Sequence, residues 1–556
     1  MKFVPKGPRR YVHQRRILRR IIETKGVCAL LCEPGTGKTA PTLDYLSILA
    51  LKSPTVVGGD REIRALVISP KAAVDNWVIQ AEKYVHDDVN VWAEALGGSI
   101  VQKAETMRSR GPEPYRPRRV ARKKDAAQLP HRGLNADRAE LLYARGSEGP
   151  VYGPADLTGK PRLILLSMNY DTFASRASRG STTMADVLME AVKRFKPDVI
   201  VCDEMHKLKG PGSNTSRLVA RIGSLAKRRI GLTGTVMPHS PMDVFAQWRF
   251  IQPTAFGTYD PRTKSRKRAT FGGFQHRFGV MGGFMGREVV RYINLDEMQA
   301  IMADNSIVVK KEEALDLPQA IDAVIPVVLS PKEQRIYAEM KSDLAVTLGD
   351  AQGQSSVPNR LTQMLRLRQI TAGHLPNDSG EVQIIGDSKV STIASIAQDT
   401  LEGEKRIVVF AVFRHEIEEL RRVLSRSGTE VQVIDGNTSD QERLRIRKRF
   451  GDTKKYPERL ILVAQIKTIS LSVNELVTAN NAIFASLSQQ RDDLIQARDR
   501  LNRIGQKRKM TFWFPLARGT VDEVIYRSHE DRTNLEAAVL KHVQGITELP
   551  EAELTS

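Results

Sequence analysis

The residues best suited to chemistry lie in a short glycine-rich stretch, CEPGTGKT, at positions 32–39. Its glycines let backbone N–H groups converge on phosphate oxygens, the lysine can reach the outer phosphates, and the last threonine hydroxyl can bind Mg²⁺. An apolar run precedes the stretch and a helical pattern follows it, which is the context that a phosphate-binding loop needs. Cys32 stands where glycine is usual. We expect nucleotide contacts from Gly35, Thr36, Gly37, Lys38 and Thr39.

A second chemical signal is an acidic pair, Asp203 and Glu204, at the end of another apolar run. Carboxylates in this position carry a high desolvation cost unless a cation or a water molecule uses them. After a phosphate loop, Asp203 would hold Mg²⁺ and Glu204 would deprotonate the attacking water. The hydroxyls of Thr233 and Thr235 could hydrogen-bond His206 and the carboxylates. His206, Thr233 and Thr235 are therefore predicted to couple the state of the nucleotide to the rest of the protein.

A third signal is a pair of arginines in the second half of the chain. Arg500 and Arg503 are three residues apart, which predicts that both lie on one side of a helix. A guanidinium delivered to a γ-phosphate stabilises charge in the transition state of phosphoryl transfer. The alternative is an ordinary solvated basic helix.

Apolar runs that alternate with helical patterns must position these residues. This alternation predicts an α/β fold with a parallel sheet and with the functional loops at its carboxyl edge. The pattern repeats in the second half without another phosphate loop, which favours two similar lobes. The predicted divisions are lobe 1 at 1–253 with a basic insertion at about 103–155, an accessory region at 254–375, lobe 2 at 376–535 and a tail at 536–556.

Composition restricts the class of partner. The 556 residues carry a formal net charge of +21, which points to a polyanion, with nucleic acid the first candidate and an acidic membrane surface the second. No apolar run approaches the roughly 20 residues of a membrane-spanning helix, and the N-terminal segment lacks a signal-peptide core. We therefore expect an intracellular, cytoplasmic protein. Its three cysteines are predicted to be reduced core thiols.

The order of the motifs resembles that of superfamily 2 helicases, and most closely their Swi/Snf-like branch. Val236 stands where that branch usually has proline after TGT. The matching motifs are Gln14, GTGKT at 35–39, Ile68-Ser69-Pro70 with Trp77, DEMHKLK at 203–209, LTGT at 232–235 and QARDRLNRIGQ at 496–506.

The resemblance implies two RecA-like P-loop NTPase lobes with parallel sheets and a helical, basic accessory region between them. It further implies that ATP and Mg²⁺ are used, that Gln14 reads adenine, that Gln496 joins the coupling residues, and that Arg500 and Arg503 complete the site. Nucleic-acid contacts are predicted at Lys71, Arg118, Arg119, Arg122, Lys123, Lys124 and Thr468.

The expected activity is that of an ATP-dependent DNA translocase, active as a monomer on duplex or branched DNA, with RNA left open. A phage or bacterial source is the expectation, with the host cytoplasm as location if the protein is phage-encoded. One alternative is a strand-separating helicase that acts on forked DNA. Two others are a nucleic-acid-binding scaffold with a vestigial ATPase site and a ring-forming ATPase.

Overall fold

In the computed structural model, the chain forms two compact units that divide between Ala314 and Leu315. No helix among the described residues is both long and apolar enough to cross a membrane. The structure describes residues 3–52, 56–57, 60–111, 160–174, 183–238, 240–283, 286, 288–314, 318–349, 357–376, 381–468, 475–503 and 505–531.

A mainly parallel sheet forms the centre of the first unit. Its strand order is β12-β1-β7-β6-β3-β5-β4, with the short β2 antiparallel to β3. Two small antiparallel hairpins, β8-β9 and β10-β11, lie outside this sheet. The strands are β1 Val27–Cys32, β2 Val56–Val57, β3 Asp60–Ser69, β4 Asn90–Ala95, β5 Arg162–Asn169, β6 Val199–Asp203, β7 Arg228–Thr233, β8 Tyr259–Asp260, β9 Ser265–Arg266, β10 Gly279–Gly282, β11 Glu288–Tyr292 and β12 Ser306–Val309.

Helices cover both faces of this sheet, so its strands read as continuous apolar runs. Leu66 and Ile68 face one hydrophobic cluster, whereas Ala65 and Val67 face the other. The helices are α1 Val12–Glu23, α2 Thr39–Lys52, α3 Val74–Tyr84, α4 Ile100–Ser109, α5 Met184–Phe195, α6 Asn214–Gly223, α7 Asp243–Ile251, α8 Phe271–Phe278, α9 Leu295–Ala303 and α10 Lys311–Ala314.

The second unit has its own parallel sheet, in the order β13-β20-β19-β16-β18-β17, and a small β14-β15 hairpin. Its strands are β13 Ala320–Val327, β14 His374–Pro376, β15 Val382–Ile384, β16 Arg406–Ala411, β17 Glu430–Ile434, β18 Leu460–Gln465, β19 Asn481–Phe484 and β20 Met510–Ala517. Its helices are α11 Pro331–Gly349, α12 Val357–Thr371, α13 Ser388–Gly403, α14 Arg414–Leu424, α15 Asp440–Gly451 and α16 Arg491–Leu501.

The two sheets share one topology, which confirms the predicted α/β class with two similar lobes. In the first sheet, five strands lie in the order β7-β6-β3-β5-β4. The strands that correspond to them along the chain in the second unit lie in the same arrangement, β20-β19-β16-β18-β17. In the second sheet, β13 lies beside β20, in the place that β1 takes beside β7. The sequence that follows β13 contains no glycine-rich phosphate loop.

The segment predicted as an accessory region contributes to both units. β12 pairs with β1 in the first sheet, and β13 pairs with β20 in the second. The segment predicted as a basic insertion begins inside α4, where Ala104 and Met107 are fully buried. The remainder of that insertion from residue 112 to residue 155, and the predicted tail at 536–556, lie outside the described residues.

Candidate nucleotide site

The phosphate loop connects the end of β1 to the start of α2. Gly35 and Gly37 have φ angles of +86° and +79°, in the left-handed region that glycine adopts without a steric cost. Lys38 Nζ donates to the carbonyl oxygen of Cys32 at 2.8 Å, and the buried Thr36 donates its hydroxyl to the Glu33 carbonyl at 2.8 Å. The loop therefore has a defined local geometry, with the lysine ammonium lying against the end of its own strand.

Helix α1 packs directly against this loop. Gln14 Nε2 donates to the Gly37 carbonyl oxygen at 3.2 Å, while Gln14 Oε1 accepts from the backbone N–H of Tyr11 at 3.2 Å. His13 Nε2 lies 2.8 Å from the Thr36 carbonyl oxygen. A Cβ on Gly37 would come within 2.4 Å of Gln14 Nε2 and would displace that amide, while the φ of +79° itself favours glycine. The structure thus brings Gln14 together with the loop residues predicted to bind nucleotide.

The predicted metal ligand, Asp203, is the last residue of β6. Its Oδ2 accepts a hydrogen bond from the buried Trp77 Nε1 at 2.9 Å, and its Oδ1 accepts from the Glu204 N–H at 3.1 Å. Burial, followed by the negative charge of Glu204, raises the pKa of Asp203 to about 6, while Trp77 and the positive charge of Lys38 act in the opposite direction. In the sequence, Trp77 is part of a motif, but only this contact shows that it holds Asp203.

The Glu204 backbone has φ +52° and ψ +54°, a left-handed conformation that costs a non-glycine residue about 1–3 kcal/mol. Glu204 Oε2 lies 3.3 Å from His206 Nδ1, which also lies 3.0 Å from Thr233 Oγ1. Thr233 donates its only hydroxyl hydrogen to the Thr235 carbonyl oxygen at 2.7 Å. It must therefore accept from His206, which assigns the hydrogen to Nδ1. This network brings together the three coupling residues predicted for the first half of the chain, but Thr235 takes part through its backbone N–H and carbonyl oxygen and not through the predicted hydroxyl.

Two further contacts position the phosphate loop. A Cβ on Gly234 would lie 2.3 Å from Pro34 Cδ, so the segment that follows β7 packs tightly on the loop. Glu33 Oε2 accepts from the backbone N–H of Lys311 at 2.9 Å, and the Glu33 N–H donates to the Val309 carbonyl oxygen at 3.0 Å. The loop is thus tied to β7 and to the segment at the end of β12.

The remaining predicted coupling and catalytic residues belong to the second unit. Gln496 and Arg500 are half-buried on α16. The expectation of a shared helix face for Arg500 and Arg503 is wrong, because α16 ends at Leu501 and the cap residue Asn502 has a non-helical ψ of 80°. Burial lowers the pKa of the Arg503 guanidinium, and nearby carboxylates partly offset this effect.

The predicted nucleic-acid contacts are spread over the chain. Lys71 is exposed in the turn after β3, and Thr468 is half-buried, with its hydroxyl donating to the Gln465 carbonyl oxygen at 2.8 Å. The basic cluster at Arg118, Arg119, Arg122, Lys123 and Lys124 lies outside the described residues.

Sequence reasoning missed Lys103. This lysine is buried on α4 and donates to Thr172 Oγ1 at 2.7 Å and to Asn169 Oδ1 at 3.1 Å. Between these partners, Tyr170 donates its hydroxyl to the Asp203 carbonyl oxygen at 2.9 Å. Lys103 therefore anchors the turn that supports Asp203. Its sequence context, at the start of a predicted insertion, contains no signal of this role.

Fold and site together define the class of protein. A parallel sheet in which one strand leads into a glycine-rich loop, and another ends in a carboxylate pair, is the architecture of a P-loop NTPase. The second unit repeats the strand order without the loop, so the protein is of the two-lobe, RecA-like type.

Comparison with known proteins finds two matching domain families. Residues 181–374 match the SNF2-related domain, and residues 388–505 match the helicase conserved C-terminal domain. These matches support the resemblance of the chain to the SNF2-related, Swi/Snf-like branch of superfamily 2. The resemblance stated from the motifs is confirmed.

Individual relatives are distant. The Mycoplasma pneumoniae protein named uncharacterized ATP-dependent helicase is 24% identical over 358 residues, which cover 64% of this chain and 32% of that protein. The Bos taurus DNA annealing helicase and endonuclease ZRANB3 is 24% identical over 353 residues, covering 62% of this chain and 30% of that protein. The matched region thus spans about a third of each relative's length. A solved structure, the Sulfolobus solfataricus SWI2/SNF2 ATPase core in complex with dsDNA, aligns with 100% of this chain and 98% of that chain at 19% identity and a TM-score of 0.37.

Proposed function

We propose that this protein is a DNA-dependent ATPase that couples ATP hydrolysis to movement along DNA. The observation that carries the proposal is the chain of polar contacts from Glu204 to His206, and of hydrogen bonds from His206 to Thr233 and Thr235. It begins at a candidate general base and ends in the segment that packs on the phosphate loop. Such a network can pass the state of the nucleotide to the surrounding fold.

The residues of the first unit have distinct roles in this proposal. Lys38 and the loop N–H groups bind the phosphates, and Gln14 holds the loop and reads the adenine edge. The Thr39 hydroxyl and the Asp203 carboxylate are oxygen donors of the kind that Mg²⁺ prefers when phosphates and water supply its remaining ligands, so these residues fit that ion. When bound, Mg²⁺ supplies charge neutralisation on the phosphates.

Glu204 accepts the proton of the attacking water, and its contact with His206 orients the carboxylate for this task. A protonated Glu204 is a weaker acceptor, so its contact with His206 Nδ1 loosens, while the bond from Nδ1–H to Thr233 remains. This loss of the Glu204 contact is the proposed first step of coupling. Arg500 and Arg503 are assigned to charge stabilisation during phosphoryl transfer, and Gln496 to coupling, on family resemblance.

DNA is the proposed track. The names of the relatives include a DNA annealing helicase, and a net charge of +21 suits a polyanionic partner. Lys71, Thr468 and the basic cluster at 118–124 are the proposed contacts. We further propose that the protein acts on duplex DNA as a cytoplasmic monomer. Movement along intact duplex and strand separation at a fork are the two activities to distinguish.

Steady-state ATP hydrolysis tests this proposal. Rates are compared without nucleic acid and with single-stranded DNA, duplex DNA, forked DNA and RNA, with Lys38→Ala as the blank. Strong stimulation by plain duplex supports a translocase, whereas stimulation by forks or single strands alone supports a helicase. The absence of stimulation by any of them would refute a nucleic-acid motor.

The assignment of the general base has its own test. Glu204→Gln keeps the size of the side chain but removes its basicity, so nucleotide binding is expected to remain close to that of the wild type while turnover falls by about 10²–10⁴-fold. Binding of a fluorescent nucleotide and single-turnover hydrolysis separate the two effects. If turnover persists in this variant, another group must activate the water.

A further inference from the structure

A basic hairpin, residues 258–268, projects from the first unit outside the nucleotide site. Its strands β8 and β9 are antiparallel, with Tyr259 opposite Arg266 and Asp260 opposite Ser265. All residues from 261 to 268 are exposed to solvent. The roles proposed above for the ATPase site and its DNA track make no use of this element.

The hairpin is held firmly at its base. Arg266 Nη1 donates to the Ala255 carbonyl oxygen at 3.1 Å. Gly257 lies so close to the returning strand that a Cβ on it would be 1.7 Å from the Lys267 carbonyl oxygen. The adjacent Phe256 is buried in an aromatic cluster of the core. The exposed basic side chains therefore extend from an anchored support.

Positive charge on the hairpin greatly exceeds negative charge. Its only carboxylate, Asp260, lies 3.2 Å from Lys267 Nζ and 3.9 Å from Arg262 Nε, and cannot neutralise the whole set. This positive charge also acts on a neighbouring residue. The pKa of Arg229 is lowered by burial and, in addition, by the positive charge of Arg268. The cationic side chains are Arg262, Lys264, Arg266, Lys267 and Arg268.

The chemistry of the hairpin fits a nucleic-acid backbone. The planar guanidinium group of arginine binds two phosphate oxygens at once, and the lysine ammonium adds a point charge. The Arg262 side chain is 91% exposed and that of Lys267 is 64% exposed, so both can reach a ligand without rearrangement of the fold. Tyr259 is 58% exposed on the same hairpin and can pack on a sugar or a base.

We propose that the basic hairpin is a second nucleic-acid contact, which grips the phosphate backbone independently of the nucleotide site. The inference rests on the proposed function in its choice of DNA as the polyanion. The hairpin adds affinity and processivity because each phosphate that it neutralises releases a counterion.

The test measures binding of the full-length protein to a fluorescent duplex, without nucleotide, over a series of salt concentrations. The variant Arg262→Ala/Lys264→Ala/Lys267→Ala removes three exposed charges. If all three contact phosphates, the slope of log K against log salt falls by up to about 3, and affinity near 0.1 M salt falls at least about tenfold. Asp260→Asn, which removes the only carboxylate, is expected to tighten binding.

A matched control variant, Lys332→Ala/Lys405→Ala/Lys509→Ala, removes three exposed lysines from the second unit and lowers the net charge by the same amount. It should retain most of the affinity and salt slope. If both triple variants lose DNA affinity equally, the effect is due to overall charge and the proposal is overturned. An unchanged salt slope in the hairpin variant would also overturn it. Unchanged melting temperatures exclude misfolding as the cause.

Two outcomes separate this inference from the proposed function. If the hairpin variant loses DNA affinity although DNA never stimulates wild-type ATP hydrolysis, the motor fails and the hairpin contact stands. If the variant loses affinity for phosphatidylserine vesicles and keeps its affinity for DNA, the surface binds lipid headgroups and the inference is wrong.

Discussion

Gly234→Ala probes the tight packing between the segment after β7 and the phosphate loop. The backbone of Gly234 does not adopt the left-handed conformation, so alanine is compatible with its φ. The added Cβ would nevertheless lie 2.3 Å from Pro34 Cδ, 2.7 Å from Cγ and 3.1 Å from its nitrogen. A proline ring is part of the backbone and cannot rotate away. One of the two segments must therefore move by about 1 Å.

The direction of that movement follows from the hydrogen bonds on each side. Thr233 Oγ1 is held by His206 and by both the N–H and the carbonyl oxygen of Thr235. Pro34 itself has no N–H to donate, so the phosphate loop is expected to yield at this residue. Overpacking of this kind costs about 1–3 kcal/mol, and if the whole cost appears in nucleotide binding, affinity falls by about 5- to 150-fold.

Titration with a fluorescent ATP analogue, combined with a thermal melt, measures the effect. Gly212→Ala is the matched control, because a Cβ there would meet no atom within 4 Å and its φ is not positive. Weaker nucleotide binding in Gly234→Ala alone is the expected result. Equal affinities and melting temperatures in the two variants would refute the packing argument. A loss of turnover with intact binding would show that the segment after β7 moves instead.

Three further predictions concern individual side chains. Trp77→Phe removes a hydrogen bond to the charged Asp203, worth about 1.5–3 kcal/mol, so ATP turnover should fall about tenfold or more in steady-state assays. Lys103→Met leaves the buried Thr172 hydroxyl without its donor and should lower the free energy of unfolding by about 1–3 kcal/mol, measured by denaturant titration. Burial lowers the pKa of His374, so folding stability should hold above pH about 6.5, the unfolded value, and fall as the pH drops below it. His374→Gln should flatten that fall in melting curves between about pH 5 and 8, whereas an unchanged profile would assign the effect to other groups.

Much of the candidate site could be predicted because its signals are local. The glycines and lysine of the phosphate loop act over a few consecutive residues, and their spacing alone defines where N–H groups and an ammonium can converge. The carboxylate pair is likewise read from its place at the end of an apolar run. The alternation of strands and helices predicts the α/β class, since parallel strands need helical crossovers.

Other features depend on pairs of residues that are far apart in the chain. The contacts of Trp77 with Asp203, of Lys103 with Thr172, and of Gly234 with Pro34 have no local signature. The end of a helix is also hard to predict from the sequence. The spacing of Arg500 and Arg503 indicates one helix face, but α16 ends before Arg503. Boundaries of this kind depend on competition between the helix and its surroundings.

The sequence by itself determined which groups can bind phosphate and activate water, because those properties reside in side-chain chemistry and short spacing. Only the tertiary structure decided which distant side chains hold these groups in place. Burial and packing act between segments that meet only after the sheet has formed, and a single donor such as Trp77 gains its function from the carboxylate that the fold places against it.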